Sequence, residues 1–340
     1  MRVAVDVMGG DKGPGTVVTG AIEGARNHKC GVVLVGNQEQ INGVLGSLDT
    51  SGLDIEVVHA ADEITMHDHP AQAVRRKQDA SMNVAMRLVK DGKADAMLST
   101  GNSGAMMAAA LMVLGRIPGI DRPAITSGVP NGKGVHTMLV DLGAVTDPKP
   151  VNMLQFAMMG QVYANTVVGI DNPTIGLLSN GEEDSKGNQL VLKVHPMLRL
   201  MEGLNFVGNI EGRDILTGEV DVVVMDGFTG NVVLKTIEGT ASMLLKVLRS
   251  ELTATLPRKL AALALRPAFR ALARRLDPSE IGGAPLLGVN GVVIITHGSS
   301  DERAITNAVG VAVRAVEHDL QGEIAKRVQA TLDSSATATP

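Results

Sequence analysis

The chain has 340 residues, a formal net charge of −5 and a pI near 5.9. Hydrophobic residues make up 44% of it, which is too apolar for a disordered chain and enough for one large globular domain or two smaller ones. The acidic balance and the scarcity of aromatic residues argue against nucleic acid as a partner. Cys30 is the single cysteine, so the chain has no internal disulfide and we expect a reducing, cytoplasmic location.

Short β-branched runs alternate with longer stretches of helical spacing along the chain. Most of these runs are continuously apolar, which is typical of strands that are covered on both faces. The pattern predicts an α/β fold with a mostly parallel, doubly wound sheet and helices on both sides. The predicted strands are residues 2–7, 31–36, 55–60, 94–99, 136–141, 174–179, 220–226 and 291–296.

The domain organisation is only weakly marked. We predict one large α/β catalytic domain over residues 1–330, with a possible subdivision near residues 147–150, where the sequence reads DPKP. Residues 331–340 are small and polar, and we predict that they form a disordered tail. No apolar run approaches the length of about 20 residues that spans a bilayer, and the amino terminus enters a strand pattern without a signal peptide.

Four of the predicted strands end in turns that combine glycine with Ser, Thr or Asn and lead into a helical stretch. These turns read GGDKGPG, STGNSG, DGFTGN and THGSSD. Free N–H groups at a helix start attract anions, and ligands of α/β sheets bind at the carboxyl ends of strands. We therefore expect a phosphate-containing substrate, although the P-loop and the GxGxxG pattern of nucleotide-binding proteins are both missing from the sequence. The candidate substrate-binding and phosphate-binding residues are Asp6, Gly9, Gly10, Ser99, Thr100, Gly101, Asn102, Ser103, Asp226, Gly227, Thr229, Gly230, His297, Gly298 and Ser299.

Two further polar stretches could carry chemistry. Residues 179–190, SNGEEDSKGNQL, are by spacing alone a solvated loop, but Lys186 could meet a phosphate or a developing oxyanion. His67 and His69 suggest a metal site, yet no third ligand is evident. We predict no metal and no cofactor.

Residues 257–276, PRKLAALALRPAFRALARRL, carry six basic side chains and no acidic one. Their apolar side chains follow helical spacing, and Pro267 predicts two short helices or a helical hairpin within a protruding region of about residues 240–280. A basic amphipathic helix is typical of a membrane surface element, whereas a dimerisation helix with solvated arginines is the alternative. The candidate membrane-contact residues are Leu265, Arg266, Phe269, Arg270, Leu272 and Leu276.

Seven motifs together carry a specific resemblance. In chain order they are DVMGGD, STGNSGAMMA, RPAI, GEEDSKGN, GNIEGRDI, DGFTGNVVLK and GGAPLLGVNGVVIITHGSS. From about residue 2 to about residue 317 the chain resembles the bacterial phosphate acyltransferases of phospholipid synthesis. Small departures occur at Val7, where the family usually has Ala in second place of the motif DVMGGD, and at Ser103, where it usually has Thr.

This resemblance implies a fold similar to phosphotransacetylases and isocitrate-dehydrogenase-like enzymes, and a homodimer. It implies transfer of a long-chain fatty acyl group from acyl carrier protein to inorganic phosphate, with Lys186 and Asn231 as the catalytic residues. The acyl phosphate would pass to a membrane glycerol-3-phosphate acyltransferase, with the protein cytoplasmic and peripherally bound to the inner face of the cell membrane. The resemblance adds a third interpretation of the basic segment, besides a membrane surface element and a dimerisation helix: it could be a docking patch for the acidic carrier protein.

Three alternatives remain open from the sequence. A phosphotransacetylase-like enzyme would use acyl-CoA in place of the carrier protein. A non-catalytic peripheral membrane scaffold would bind the membrane without turnover. A dehydrogenase of similar fold would bind a nicotinamide cofactor.

Overall fold

The structure is a computed structural model and describes residues 1–337. Its strands form a single sheet, and its helices connect them. The strands are β1 (Arg2–Asp6), β2 (Gly31–Gly36), β3 (Ile55–His59), β4 (Ala96–Ser99), β5 (Ala124–Pro130), β6 (His136–Val140), β7 (Ile175–Leu178), β8 (Phe206–Ile210), β9 (Val222–Val224), β10 (Ala284–Leu287) and β11 (Val292–Ile295). The helices are α1 (Gly13–His28), α2 (Gln38–Leu45), α3 (Pro70–Arg76), α4 (Ser81–Lys90), α5 (Ser103–Ala109), α6 (Pro150–Tyr163), α7 (Gln189–Arg199), α8 (Gly227–Thr253), α9 (Leu256–Ala264), α10 (Arg266–Arg275), α11 (Glu302–Glu317) and α12 (Leu320–Thr337).

The sheet is mostly parallel, as the sequence predicts, but it reverses direction near its middle. Its strand order is β3-β2-β1-β4-β11-β10-β5-β6-β9-β7-β8. The pairs β11–β10, β10–β5 and β5–β6 are antiparallel, and the other neighbouring pairs are parallel. Three successive antiparallel pairs leave β6, β9, β7 and β8 running opposite to β3, β2, β1, β4 and β11. The two parallel halves therefore direct their carboxyl ends to opposite edges of the sheet.

All eight predicted strands form, and three further strands were not predicted. The missed strands β5, β8 and β10 read AITSGVP, FVGNI and APLL. Each is short, and glycine or proline interrupts or begins its apolar run, so the sequence signal for a strand is weak. Two of the three, β5 and β10, produce the reversal of the sheet, which the sequence consequently did not reveal.

Helices cover both faces of the sheet. Val3, Ala4 and Val5 of β1 are all fully buried, which confirms the expectation from their continuous apolar run. Val3 and Val5 join one core, and Ala4 joins the core on the opposite face. Side chains of consecutive strand residues point to opposite faces, so both cores draw on the same strands. Val140 of β6 belongs to the first core, which thus extends across both halves of the sheet.

The basic segment forms two short helices, α9 and α10, as the sequence predicts. Pro257 and Pro267 stand in their first turns, where a missing backbone N–H costs no hydrogen bond. Neither helix has a buried residue, and the preceding 27-residue helix α8 buries only Gly227 and Gly230. Leu265 lies at the boundary of α9 and α10, where its carbonyl accepts from the Phe269 N–H at 3.1 Å.

Helix α12 differs from the sequence prediction. It continues to Thr337, whereas the sequence predicts a disordered tail from residue 331. The preceding turns contain good helix formers such as Ala325 and Lys326 and are anchored by the buried Ile324 and Val328, and extending an anchored helix is easier than nucleating one. Residues 338–340 lie outside the described part of the chain. Within residues 1–337 no helix is long and apolar enough to cross a membrane.

Candidate active site

Each of the four polar turns connects a strand to a helix, as predicted. Helices α1, α5, α8 and α11 follow β1, β4, β9 and β11 respectively. Three of these helices begin with a side-chain cap, in which Asn102, Asp226 or Asp301 accepts a hydrogen bond from a backbone N–H in the first turn. Such caps satisfy one of the free N–H groups at a helix start.

The turns after β1, β4 and β11 come together because these strands are neighbours in the sheet. The Ser99 hydroxyl donates to Asp6 Oδ2 at 2.7 Å and accepts from the Gly101 N–H at 2.9 Å. The Thr100 hydroxyl donates to the Gly9 carbonyl at 2.5 Å. These buried contacts hold the backbones of the first two turns against each other. We call the three turns the first cluster.

Two glycines of the first cluster are required by close approach. A Cβ atom on Gly9 would lie 2.7 Å from the Gly101 nitrogen. Gly10 has a φ of +92°, and a Cβ atom there would lie 2.5 Å from Thr100 Oγ1 and 3.0 Å from the Gly298 carbonyl oxygen. Side chains are strained at such a φ, and no larger residue fits the space.

The outer face of the first cluster is polar and accessible. Ser103, His297 and Ser299 are exposed, while Asn102 is half-buried. His297 Nδ1 lies 2.7 Å from Ser299 Oγ. Beneath them Asp6 is fully enclosed, and burial raises the pKa of its carboxyl against the lowering effect of its hydrogen bonds.

The turn that carries Asp226–Asn231 belongs to a second cluster at the opposite edge of the sheet. It follows β9, and the loop that carries Lys186 follows the neighbouring parallel strand β7. Strands β11 and β9 are four strand spacings apart, which is about 19 Å. A phosphate ion is too small to contact both clusters of one chain. The sequence analysis assigned residues of all four turns to substrate and phosphate binding, and the reversal of the sheet at β10 and β5 places the turn after β9 at the opposite edge from the other three.

Lys186 is exposed, and its ammonium group has no hydrogen-bond or ion-pair partner among residues 1–337. Two of the three acidic residues in its loop, Asp184 and Glu182, are paired with other residues. Asp184 Oδ1 lies 3.2 Å from Arg199 Nη2 and 3.3 Å from Nε2 of the buried His195. Glu182 lies 3.3 Å from Arg213. Asp184 and Glu182 thus hold the loop, and Lys186 is available for an anionic ligand.

Asn209 fixes the same loop from below, and the sequence analysis did not identify it. It lies at the end of β8, where its Nδ2 donates to the Glu183 carbonyl at 2.9 Å and to the Lys186 carbonyl at 3.5 Å. Its Oδ1 and the Ser179 hydroxyl are buried without a partner in the described structure. The motif GNIEGRDI contained this residue, but only the pairing of β8 with β7 shows what its side chain contacts.

Asn231 lies exposed in the first turn of α8, which packs closely on the end of β6. Asp226 caps this helix by accepting from the Thr229 N–H at 2.9 Å and the Thr229 hydroxyl at 2.7 Å. A Cβ atom on Gly227 would lie 2.7 Å from Asp141 Oδ2, and one on Gly230 would collide with the Asp141 carbonyl oxygen. The glycines of DGFTGN therefore serve close packing of α8 on β6.

Asp141 is the second important residue that the sequence analysis missed. It is fully buried, and its carboxylate accepts from the backbone N–H groups of Ile125, Gly143, Ala144 and Val145 at 2.7–3.1 Å. Burial raises the pKa of this carboxyl, and the four donors act in the opposite direction. An acidic residue at a strand end before glycine was the only available signal. Asp141 orders the turn beside the start of α8.

The two histidines whose spacing suggested a metal site, His67 and His69, lie near the start of α3. His69 stands before α3, and His67 lies in the adjoining turn. No group of three or more His, Cys, Asp or Glu side chains within residues 1–337 could hold a metal ion. The single cysteine, Cys30, is buried, as expected for a small core residue.

A model of the family described as fatty acid synthesis protein matches residues 1–322. The chain belongs to this family. A phosphate acyltransferase of Pelotomaculum thermopropionicum is 49% identical to this chain over 329 residues. The match covers 97% of this chain and 95% of the relative. A phosphate acyltransferase of Geobacter sulfurreducens is 47% identical over 329 residues that cover 97% and 94% of the two chains. The protein is thus an enzyme of the phosphate acyltransferase family, as the motif resemblance implied.

Solved structures support the fold of this fatty acid synthesis family member. A phosphotransacetylase from Streptococcus pyogenes has a TM-score of 0.61 and 17% identity, and the match covers 93% of this chain and 94% of that one. A branched-chain phosphotransacylase from Enterococcus faecalis has a TM-score of 0.60 and 16% identity, with 93% and 99% covered. The phosphotransacetylase-like fold implied by the sequence motifs is therefore confirmed.

Proposed function

We propose that the enzyme transfers a long-chain fatty acyl group from the thioester of acyl carrier protein to inorganic phosphate, giving acyl phosphate for phospholipid synthesis. The observation that carries this proposal is the placement of Lys186 and Asn231 on the segments that follow two neighbouring parallel strands, with no partner for the Lys186 ammonium group among residues 1–337. The second cluster thus offers a cation and an amide donor at one edge of the sheet. The family relatives named phosphate acyltransferase agree with this chemistry.

The reaction asks for positioning and charge stabilisation more than for a strong base. A phosphate oxygen forms a bond to the thioester carbonyl carbon, and the carbonyl oxygen becomes an oxyanion. The oxyanion then collapses, the carbon–sulfur bond breaks, and the carrier thiolate leaves and takes a proton from water. Lys186 would bind the phosphate or the oxyanion, and Asn231 would donate a hydrogen bond to the thioester oxygen. Neither role calls for a metal or a cofactor.

The remaining candidate residues have separate proposed roles. Asp226, Gly227, Thr229 and Gly230 shape the helix start that presents Asn231. The first cluster, about 19 Å away across the sheet, is a proposed binding site for an anionic part of the donor that is remote from the thioester. Its members are Asp6, Gly9, Gly10, Ser99, Thr100, Gly101, Asn102, Ser103, His297, Gly298 and Ser299.

The first experiment is phosphate-dependent release of carrier thiol from palmitoyl-acyl carrier protein by purified enzyme. Lys186→Ala should lower kcat by about 10²-fold or more, the scale of losing one oxyanion donor. Lys193→Ala removes an exposed lysine of the adjacent helix α7 and serves as the matched control. Near-normal turnover of Lys186→Ala would remove Lys186 from the mechanism.

The same assay separates the alternatives. Competition between palmitoyl-CoA and palmitoyl-acyl carrier protein identifies the preferred donor. Membrane binding without release of thiol from either donor would favour the non-catalytic scaffold. A dehydrogenase would have to bind a nicotinamide cofactor. A 4-hydroxythreonine-4-phosphate dehydrogenase from Burkholderia phymatum matches this chain with a TM-score of 0.52 and 14% identity, so the similarity concerns the fold alone.

We further propose that α9 and α10 bind the inner face of the cell membrane, where a membrane glycerol-3-phosphate acyltransferase would receive the product. Both helices lack buried residues, and Leu256, Leu260 and Leu263 of α9 are 72%, 64% and 65% exposed. Leu265, Arg266, Arg270 and Leu272 are exposed as well, while Phe269 and Leu276 are half-buried. Each basic side chain near anionic headgroups contributes on the order of 1 kcal/mol.

Sedimentation with vesicles of anionic phospholipid tests the membrane proposal. Leu260→Glu combined with Leu263→Glu should abolish vesicle binding, because the two substitutions replace apolar side chains at the lipid interface with negatively charged ones. The control is Leu200→Glu, which changes an 83% exposed leucine outside these helices. Unchanged vesicle binding of the double variant would contradict the proposal, and thiol release in solution should stay at the level of the parent enzyme.

A homodimer is the remaining proposal. Phe228 and Val232 of α8 are 64% and 50% exposed and lie one helical turn apart, beside the candidate catalytic Asn231. Apolar side chains exposed in this way are typical of a subunit interface. Sedimentation velocity of the enzyme and of Val232→Glu would test whether this face of α8 joins two copies.

A further inference from the structure

A cleft with a volume of about 680 Å³ lies in front of the start of β5 and is lined by Leu111 and residues 115–123. It is formed by the segment that connects α5 to β5, and its polar side chains are Arg116, Asp121 and Arg122. The sequence analysis quoted the motif RPAI, which begins at Arg122, without assigning it a role.

Asp121 is fully engaged in holding this segment together. Arg116 Nη1 donates to the Asp121 carbonyl and lies 3.5 Å from its Oδ1, while Asn152 Nδ2 donates to Oδ2 at 2.8 Å. The Asn152 hydrogen bond lowers the pKa of Asp121, and the charges of Arg122, Lys149 and Arg116 act in the same direction. Asp121 therefore stays ionised, and its oxygens are used by Arg116 and Asn152.

Arg122 is left without a counter-ion. It is exposed, and its guanidinium forms no hydrogen bond or ion pair with any of residues 1–337. Two arginines, Arg116 and Arg122, and one aspartate, Asp121, line the cleft, so its lining carries a net positive charge. A guanidinium presents several N–H donors in a planar fork that matches the oxygens of a phosphoryl group.

The cleft lies at the same edge of the sheet as Asn231. Strand β5 is antiparallel to β6, so the start of β5 adjoins the end of β6. The Ile125 N–H donates to Asp141 Oδ1 at 2.9 Å, and Asp141 contacts the start of α8. Strands β5 and β9 are two strand spacings apart, which is about 10 Å. An arginine side chain at the start of β5 is thus within the range of one extended substrate.

We propose that Arg122 in this cleft binds a phosphoryl group during the reaction, a role that rests on the acyl transfer proposed above. The phosphoryl group belongs either to inorganic phosphate or to the phosphodiester that joins the pantetheine arm to its carrier. Both are oxygen-rich anions and make the same contacts with a guanidinium. Two acyl donors tell them apart, because palmitoyl-pantetheine has the reacting thioester and no phosphodiester.

Steady-state kinetics of Arg122→Gln with both donors form the first test. Loss of a charge-assisted hydrogen-bonding pair predicts a rise in one KM of about 10- to 100-fold. If Arg122 binds inorganic phosphate, the KM for phosphate rises with either donor. If it binds the phosphodiester, the KM for palmitoyl-acyl carrier protein rises, and the variant equals the parent enzyme with palmitoyl-pantetheine. Arg122→Lys, which keeps the charge and loses the fork, should lie between the two.

Lys133→Gln is the matched control, because it removes an exposed cation at the other end of β5. KM values for Arg122→Gln within twofold of those for Lys133→Gln, with every substrate, would overturn the proposal. Arg122→Lys provides the same comparison if Arg122→Gln does not fold.

Calorimetric titration separates this proposal from the proposed function. Inorganic phosphate and 4′-phosphopantetheine are titrated into the parent enzyme and into Arg122→Gln, without any turnover. At least tenfold weaker binding of one of the two ligands supports the phosphoryl site even if thiol release is never observed. Equal binding of both ligands to the two proteins would overturn it, whatever the activity assay shows.

Discussion

Replacement of Asp141 by asparagine should destabilise the whole region around α8. The carboxylate accepts four backbone hydrogen bonds, from Ile125, Gly143 and Ala144 to Oδ1 and from Val145 to Oδ2. An asparagine can keep its carbonyl oxygen toward the first three donors. Its NH₂ group then faces the Val145 N–H, so two donors are buried without an acceptor, and the other bonds lose their charge.

The expected loss is about 3–5 kcal/mol, because hydrogen bonds to a charged group contribute about 1.5–3 kcal/mol and unsatisfied buried donors add their desolvation cost. At an m-value of about 3 kcal/mol/M, the urea midpoint falls by roughly 1 M or more. Activity should fall further than stability alone requires, because Val145 also holds the Gly227 N–H through its carbonyl at 2.9 Å, at the start of the helix that carries Asn231.

Equilibrium unfolding in urea and thiol release at a temperature where the variant is folded are the two measurements. Asp221→Asn is the control, because Asp221 accepts from the Thr174 N–H and hydroxyl at 2.8 and 2.7 Å at the opposite end of β9. It should cost stability without lowering kcat of the folded enzyme. A change of less than about 1 kcal/mol for Asp141→Asn would refute the assignment of Asp141 as the support of this turn.

Two further predictions concern the buried polar residues at each edge. Asn209→Ala removes the donor that holds the carbonyls of Glu183 and Lys186, so the lysine is misplaced and kcat should fall by about 10-fold or more. The free energy of unfolding should fall by about 1–2 kcal/mol. An unchanged kcat together with a lowered urea midpoint would show that Asn209 has a purely structural role. Burial raises the pKa of Asp6 above its usual value near 3.8, so the folded protein binds this proton more tightly than the unfolded chain does. The stability of the parent enzyme therefore falls as the pH rises above 3.8. The urea midpoint of Asp6→Asn relative to the parent should therefore increase between about pH 4 and about pH 7, and a constant difference would contradict this view.

Much of the architecture could be read from local patterns. The apolar runs of β1, β2, β4 and β11 predicted strands covered on both faces, and the buried Val3, Ala4 and Val5 agree with that prediction. The proline positions predicted the separation of α9 from α10. Lys186 and Asn231 were identified only through family motifs, since the spacing of residues 179–190 by itself favours a solvated loop.

The missed features depend on contacts between distant parts of the chain. Asn209 donates to the Lys186 carbonyl, 23 residues earlier in the chain. Asp141 accepts from the Ile125 N–H, 16 residues earlier. Neither partner can be inferred from neighbouring residues, because β-strand pairing brings them together. Helix α12 likewise continues to Thr337 where the sequence predicted a disordered tail, because tertiary packing of Ile324 and Val328 anchors its earlier turns.

The sequence by itself determined the α/β class, the family and the turn types, because apolar periodicity, glycine and helix caps act over a few residues. Only the tertiary structure decided which turns share a site. Three antiparallel pairings around β10 and β5 reverse half of the sheet, so similar glycine-rich turns end at opposite edges. The direction of a strand depends on its partners in the sheet and leaves no mark on its own residues.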